Sequence, residues 1–155
     1  MIFSGCQKTD LNTLFKRTMT FENKDFTIEL PNRFQFATHE SYDYLYQNLQ
    51  HSLMFMANHQ ILNEEVLTEN YVERDYLKKL LDEANLQGAT LTEQEHGLSY
   101  LEFESPIGGK TYQFVLFVSL QKETLWAFQF SCLKKDYPNC KDAFLKYASS
   151  IQFKN

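Results

Sequence analysis

The side chains in this sequence best suited to reacting or to binding a metal are three cysteines and four histidines. The histidines are His39, His51, His59 and His96. His51 and His59 would share a face of one extended segment. Eight steps at ~3.3 Å put them about 26 Å apart, too far for one metal ion. No Gly-x-Ser-x-Gly turn strains a serine into a nucleophile, so no Ser-His-Asp or Cys-His order stands out. Carboxylates are plentiful but lie in polar surface contexts, and Asp25, Asp43 and Glu102 read no better as general bases than their neighbours. Gly108-Gly109-Lys110 is not a phosphate loop, which needs a longer glycine-spaced turn running from a strand into a helix. The residues therefore predict no catalytic group, no cofactor and no metal site.

The cysteines carry more. Cys6 follows Phe3-Ser4-Gly5, and this stretch is similar to the bacterial lipobox, where small residues precede the cysteine that receives diacylglycerol. Phe3 stands where leucine is usual, and the basic and most of the apolar leader are missing from the stretch before Cys6. One reading makes Cys6 a lipid attachment site and residues 1–17 a tether; the other makes it an incidental cysteine on a frayed terminus. Cys132 ends an extended run and Cys140 opens a helical one. A chain reversal at Tyr137-Pro138 would bring the two within disulfide range, and closing so short a loop contributes about 2–3 kcal/mol. The alternatives are a disulfide in an oxidising compartment and two reduced, buried thiols in the cytosol. Lipidated Cys6 with a Cys132–Cys140 pair accounts for all three cysteines and favours export over the cytosol.

Tyr42, Tyr44 and Tyr46 share one side of an extended segment. Such a stripe stacks ligands in some proteins. In most it lies at a sheet edge with ring in and hydroxyl out, and that is the reading favoured here.

The elements that must position these residues are legible from patterning. Three runs rich in aromatic and β-branched residues lie between Leu98 and Cys132, separated by Pro106-Ile-Gly-Gly-Lys110 and Gln121-Lys-Glu-Thr124, and read as an antiparallel meander. Thr18–Glu22 and Asp25–Leu30 read as two strands around Asn23-Lys24, with Phe26, Ile28 and Leu30 on the buried face and Pro31 ending the ladder. Ser52–Asn58 is apolar on both faces and reads as a central strand. Val72, Tyr76, Leu80 and Ala84 repeat every fourth position, which predicts a helix from Thr68 to Leu86, with Thr68 as cap, Glu69 in the first turn and Gly88 as terminator. Pro138 opens a second helix over 139–149, and Ile151–Phe153 is a short closing extended piece.

The totals fit one domain over residues 18–155 with a sizeable core. Fourteen Phe and nine Tyr favour sheet and argue against disorder. A net charge of -5 and no block of Lys or Arg disfavour nucleic acid as a partner.

In this order the chain resembles the PsbP-like fold, shared by the photosystem extrinsic protein, Ran-binding Mog-type proteins and DcrB-type bacterial lipoproteins. The resemblance rests on Phe26-Thr-Ile-Glu-Leu-Pro31, the long helix after a central strand, the meander with its Gly-Gly turn, and Ala143-Phe-Leu-Lys-Tyr-Ala-Ser-Ser-Ile-Gln-Phe153. It covers roughly residues 18–153. It implies an α+β domain, an antiparallel sheet flanked by helices in an αβα sandwich, and a role in binding or assembly without catalytic residues. It carries over no functional residue. The function expected is a non-enzymatic lipoprotein of the bacterial envelope, anchored through Cys6, that meets a protein partner at an open sheet edge or at the Tyr42–Tyr46 stripe. The alternative is a cytosolic chaperone or adaptor of the same fold that offers an apolar groove to a secreted effector.

Overall fold

Trp126, Phe128, Phe130 and Cys132 occupy alternate positions of a run without glycine or proline, a pattern that gives an extended strand with one buried face. In the computed structural model, which describes residues 10–68 and 70–155, that run is the middle strand of a seven-stranded sheet. The elements in chain order are α1 (Leu11–Lys16), β1 (Thr18–Glu22), β2 (Phe26–Pro31), β3 (Gln35–His39), β4 (Tyr42–Asn48), β5 (Leu53–Ile61), α2 (Glu73–Glu83), β6 (Gln87–Thr92), β7 (Tyr100–Ile107), β8 (Lys110–Gln121), β9 (Thr124–Leu133), α3 (Tyr137–Ser149) and β10 (Gln152–Phe153). The large sheet has the order β3-β4-β5-β9-β8-β7-β6, and a second, three-stranded sheet has the order β1-β2-β10. Every pairing is antiparallel.

The pleat sorts the large sheet into two faces. One carries Tyr46, Phe55, Phe117, Trp126, Phe128 and Phe130, and packs against Phe26, Ile28 and Leu30 of the small sheet and Cys140, Phe144 and Tyr147 of α3. The other carries Leu101, Leu116, Val118 and Leu125, and packs against Leu77 of α2. The result is an α+β sandwich, with α2 on one side and the small sheet, α1 and α3 on the other.

Turn chemistry fixes the registers. Gly108 and Gly109, both at positive φ (58° and 79°), make a two-residue turn between Ile107 and Lys110, the geometry whose twist matches antiparallel strands. The Asn23 side chain accepts from the N–H groups of Asp25 and Phe26 and shapes the β1–β2 turn. Pro138 lies in the first turn of α3, where its missing N–H costs nothing.

The structure departs from the expectations in four places. The first helix of the sequence reading begins at Glu73, not Thr68: the Asp75 carboxylate accepts from the N–H of Val72 and starts the helix there, while Glu69 lies outside the described residues. It ends at Glu83, and Asn85 just beyond the cap takes the left-handed conformation (φ 49°), so Gly88 instead serves a bulge in β6, a strand absent from the expectations. Leu11–Lys16 is not tether. It is a helix capped by Asp10, and its Leu14 is buried in the main core. Finally, the closing piece Gln152–Phe153 pairs with β2 and makes the second sheet, where a single sheet was expected.

Phe26 joins the two sheets. Its ring meets those of Tyr44, Phe55, Trp126, Phe128 and Phe153 edge-on, at centroid distances of 5.3–6.3 Å. Such pairs add ~0.5–1.5 kcal/mol each beyond the area they bury, in a context-dependent sum. Replacing Phe26 with Ala should lower the unfolding free energy by about 3–5 kcal/mol. A urea midpoint that scarcely moves in F26A would contradict this account of the core.

Candidate functional site

The strand alternation that places Tyr44 and Tyr46 on one side of β4 turns both toward the small sheet. Tyr46 is a core residue. Its ring lies 5.3 Å from that of Phe21 and 5.4 Å from that of Phe36, and its hydroxyl accepts from the Asn23 amide at 3.3 Å. Tyr44 is half-buried, stacks on Trp126 at 6.2 Å, and donates its hydroxyl to Asp25. Tyr42, at the start of the strand, leans on the ring of His39 at 5.3 Å. The tyrosine stripe is thus largely spent on packing: Tyr44 and Tyr46 fasten the β1–β2 turn to the large sheet, and Tyr42 alone stays at the rim.

The same end of the sheet gathers two residues that the sequence reading had not joined. His59 Nδ1 is 2.7 Å from Asp43 Oδ2, and the same oxygen accepts from the His59 N–H at 2.9 Å. The His59 ring lies 4.9 Å from that of Trp126. The signal was available in the hairpin register: once Asn48 pairs with Leu53, Tyr44 falls opposite Ala57 and Asp43 beside His59. His59, Asp25, Trp126, Phe153 and Lys154 line an open cleft of about 450 Å³. The imidazole and carboxylate are 45% and 37% exposed, so solvent screens the pair and it contributes under ~1 kcal/mol. Acyl transfer would also need a hydroxyl or thiol on the other ring nitrogen. Among the described residues, none is hydrogen-bonded to His59, and no three His, Cys, Asp or Glu side chains cluster to hold a metal.

Two further features lie at the two ends of α3. Leu98, Phe117, Phe128, Ala148, Ile151 and Phe153 line an apolar cleft of about 450 Å³ where α3 ends against the sheet. At the opposite end of α3, the Tyr137 hydroxyl donates to Glu102 on β7, and Lys141 pairs with the same carboxylate at 3.3 Å. Burial first, and then the Glu102 carboxylate, push the Tyr137 phenol far above the usual tyrosine range.

The sequence-predicted cysteines divide. Cys6 lies outside the described residues. Cys132 and Cys140 are both fully buried in the main core and both are free thiols. The neighbouring Cys140 side chain first, and then burial, raise the Cys132 thiol far above its ordinary range.

Tyr44 gives a pH test. Burial, reinforced by the Asp25 carboxylate, pushes its phenol from 10.0 up to about 12. Because the folded value is raised, the stability tied to this group is fully present below pH 10 and is lost as pH rises through about 12. The stability difference between wild type and Tyr44→Phe, read from urea midpoints, should therefore be flat up to pH 10 and shift against wild type between pH 10 and 12. A difference constant to pH 12 would refute the Tyr44–Asp25 coupling.

No family model and no curated protein matches this sequence. Solved structures do. The solution structure of cyanobacterial PsbP (CyanoP) from Synechocystis sp. PCC 6803 superposes with a TM-score of 0.55 at 13% identity, over 89% of this chain and 93% of that one. A Bacteroides thetaiotaomicron crystal structure superposes with a TM-score of 0.58 at 15% identity, over 84% of this chain. This chain spans under half of that protein, 45%. LpqN of Mycobacterium tuberculosis, described as involved in cell envelope biogenesis, aligns over 97% of this chain and 100% of its own with a TM-score of 0.49 at 13% identity. The similarity to CyanoP extends through nearly the whole of both chains and agrees with the resemblance carried by the strand and helix order. The chain has a PsbP-like fold.

Proposed function

We propose that this protein is a non-enzymatic binding or assembly module that meets a protein partner along two open sheet edges, held at a membrane surface in the bacterial envelope by lipid on Cys6. The observation that carries the reading is the apolar strip between those edges. β1 is an edge of the small sheet and β3 an edge of the large one. Phe21 of β1 and Phe36 of β3 both pack on the Tyr46 ring, so the two edges meet around it. Phe36 is 53% exposed, and Met19, two positions along β1 from Phe21, is 47% exposed. Unpaired backbone beside exposed aromatic and thioether side chains is how an extended segment of another chain is captured: main-chain bonds give affinity and side-chain contacts give selectivity. Tyr42 sits on the strand paired with β3 and extends the strip toward the His59 end.

The anchor rests on the lipobox-like Phe3-Ser4-Gly5-Cys6 and on α1. Helix α1 begins at Leu11, five positions after Cys6, so a lipid on Cys6 would hold the folded domain close to the membrane. No described helix is long and apolar enough to cross a membrane, so attachment in this reading is through the lipid.

The cytosolic chaperone or adaptor remains a second reading because of one observation, the apolar cleft at Leu98, Phe117, Phe128 and Ile151. A partner helix would place its apolar face there.

A photo-cross-linking residue at Phe36, installed in native cells, should yield one dominant protein adduct, and the same residue at Lys79 on the exposed side of α2 should yield none. Phe36→Lys should weaken capture of that partner at least tenfold and cost the fold only about 0.5–1.5 kcal/mol, the worth of its contact with the Tyr46 ring. An adduct from position 98 and none from 36 would move the proposal to the cleft. Cys6→Ser should release the folded protein from the membrane fraction. A wild-type protein recovered in the soluble fraction with an unmodified Cys6 would end the anchored reading.

A further inference from the structure

Cys132 and Cys140 stand eight positions apart, one at the end of β9 and one a turn into α3. Both are 0% exposed. They share one apolar cluster with Phe130, Phe144 and Tyr147, and Cys140 together with burial raises the Cys132 thiol. Two thiols buried in one cluster and joined by so short a chain reversal are placed to react with each other. Nothing dissolved can reach them, however, while α3 is packed. Thiol–disulfide exchange requires a thiolate and a sulfur open to attack. The charges facing the pair hinder the first: Asp136 lies in the turn before α3, and Tyr137 and Tyr147 supply only neutral phenols. Access is controlled by the start of α3. Its first residue, Tyr137, packs on the cluster, and Glu102 holds it through the tyrosine hydroxyl while also pairing with Lys141 one turn on.

We propose that the oxidation state of Cys132 and Cys140 is set while the chain folds and is then sealed by α3. A chain that folds in the presence of a small disulfide, or of a protein bearing a reactive one, acquires a Cys132–Cys140 bond. A chain that folds in a reducing medium keeps two thiols. Neither form converts to the other until the first turn of α3 opens. In the oxidation, one cysteine thiolate attacks the external disulfide and expels one thiolate. The second cysteine thiolate then attacks the mixed disulfide and expels the other. Two protons leave the protein, and the external disulfide is reduced to two thiols. This device is independent of which partner docks at the β1 and β3 edges, and its test does not involve a partner.

The experiment compares one preparation in two states, in a Cys6→Ser chain so that only the pair titrates. Reduced protein is either left folded or unfolded in urea and refolded, with the same concentration of glutathione disulfide, and free thiols are alkylated at intervals after denaturing quench. The refolding chain should lose both alkylation sites and give a Cys132–Cys140 cross-linked peptide. The folded chain should oxidise at least tenfold more slowly. Glu102→Gln, which weakens the clasp and leaves both thiols in place, should speed oxidation of the folded chain about tenfold, and Tyr137→Phe should do the same. Folded wild type oxidising as fast as the refolding chain would overturn the proposal. So would a refolding chain that carries separate glutathione adducts and no internal link. Rates in both clasp variants equal to wild type would remove α3 as the seal.

Discussion

The aromatic contact between Phe26 and the face of the large sheet is the constraint on which the rest depends. The small sheet is hardly more than the β1–β2 hairpin, since β10 adds two residues, and a two-stranded hairpin alone is marginal in water. Here β2 commits one ring to five others drawn from β4, β5, β9 and β10, and the small sheet becomes a lid on the large one. Once that lid is seated, several polar features follow. Asp25 meets the Tyr44 hydroxyl because it immediately precedes Phe26. Asn23 reaches Tyr46 because the β1–β2 turn is held above it. Phe36 is left exposed because β3 ends the large sheet where the lid stops.

What was readable in the sequence was what local physics decides. The meander from Leu98 to Cys132, the Gly108-Gly109 turn, the Asn23 turn, the buried set Phe26, Ile28 and Leu30, and Pro138 at the opening of α3 each follow from a few neighbouring residues. What failed depended on distant partners or on competing local signals. Gln152–Phe153 is too short to announce itself as a strand, and its mate β2 lies at the other end of the sequence. Thr68 and Gly88 were both sound capping residues, yet Asp75 and Asn85 took those roles. Capping chemistry says where a helix is permitted to end, and packing decides which permitted site is used. Leu11–Lys16 was read as tether because it follows the lipobox-like stretch, and buried Leu14, with Leu11 and Phe15 packed beside it, makes it part of the body.

The site residues divide along the same line. Aromatic spacing on β4 was legible, but whether a tyrosine faces solvent or a second sheet was not, because nothing near Tyr44 encodes the presence of a lid. The Asp43–His59 contact follows from hairpin register, and the turn before Leu53 is irregular enough, with Ser52 at positive φ, to conceal that register from pattern reading. That Cys132 and Cys140 enter one core was legible because the reversal between them is short.

The pairing of β2 with β10 has a kinetic consequence. Phe26 and Phe153 are partners in the ladder. The lid therefore cannot close until nearly all of the intervening chain has been made and arranged. Loop closure over such a separation comes late, since its entropy must be met before the contact returns anything. Until then the ring of Phe26 and the large-sheet face beneath it remain wet, and the growing chain displays its most adhesive surface throughout synthesis. A protein wired in this way depends on its final strand to finish covering its second. Loss of β10 would be felt across the whole aromatic seam, far beyond the two residues removed.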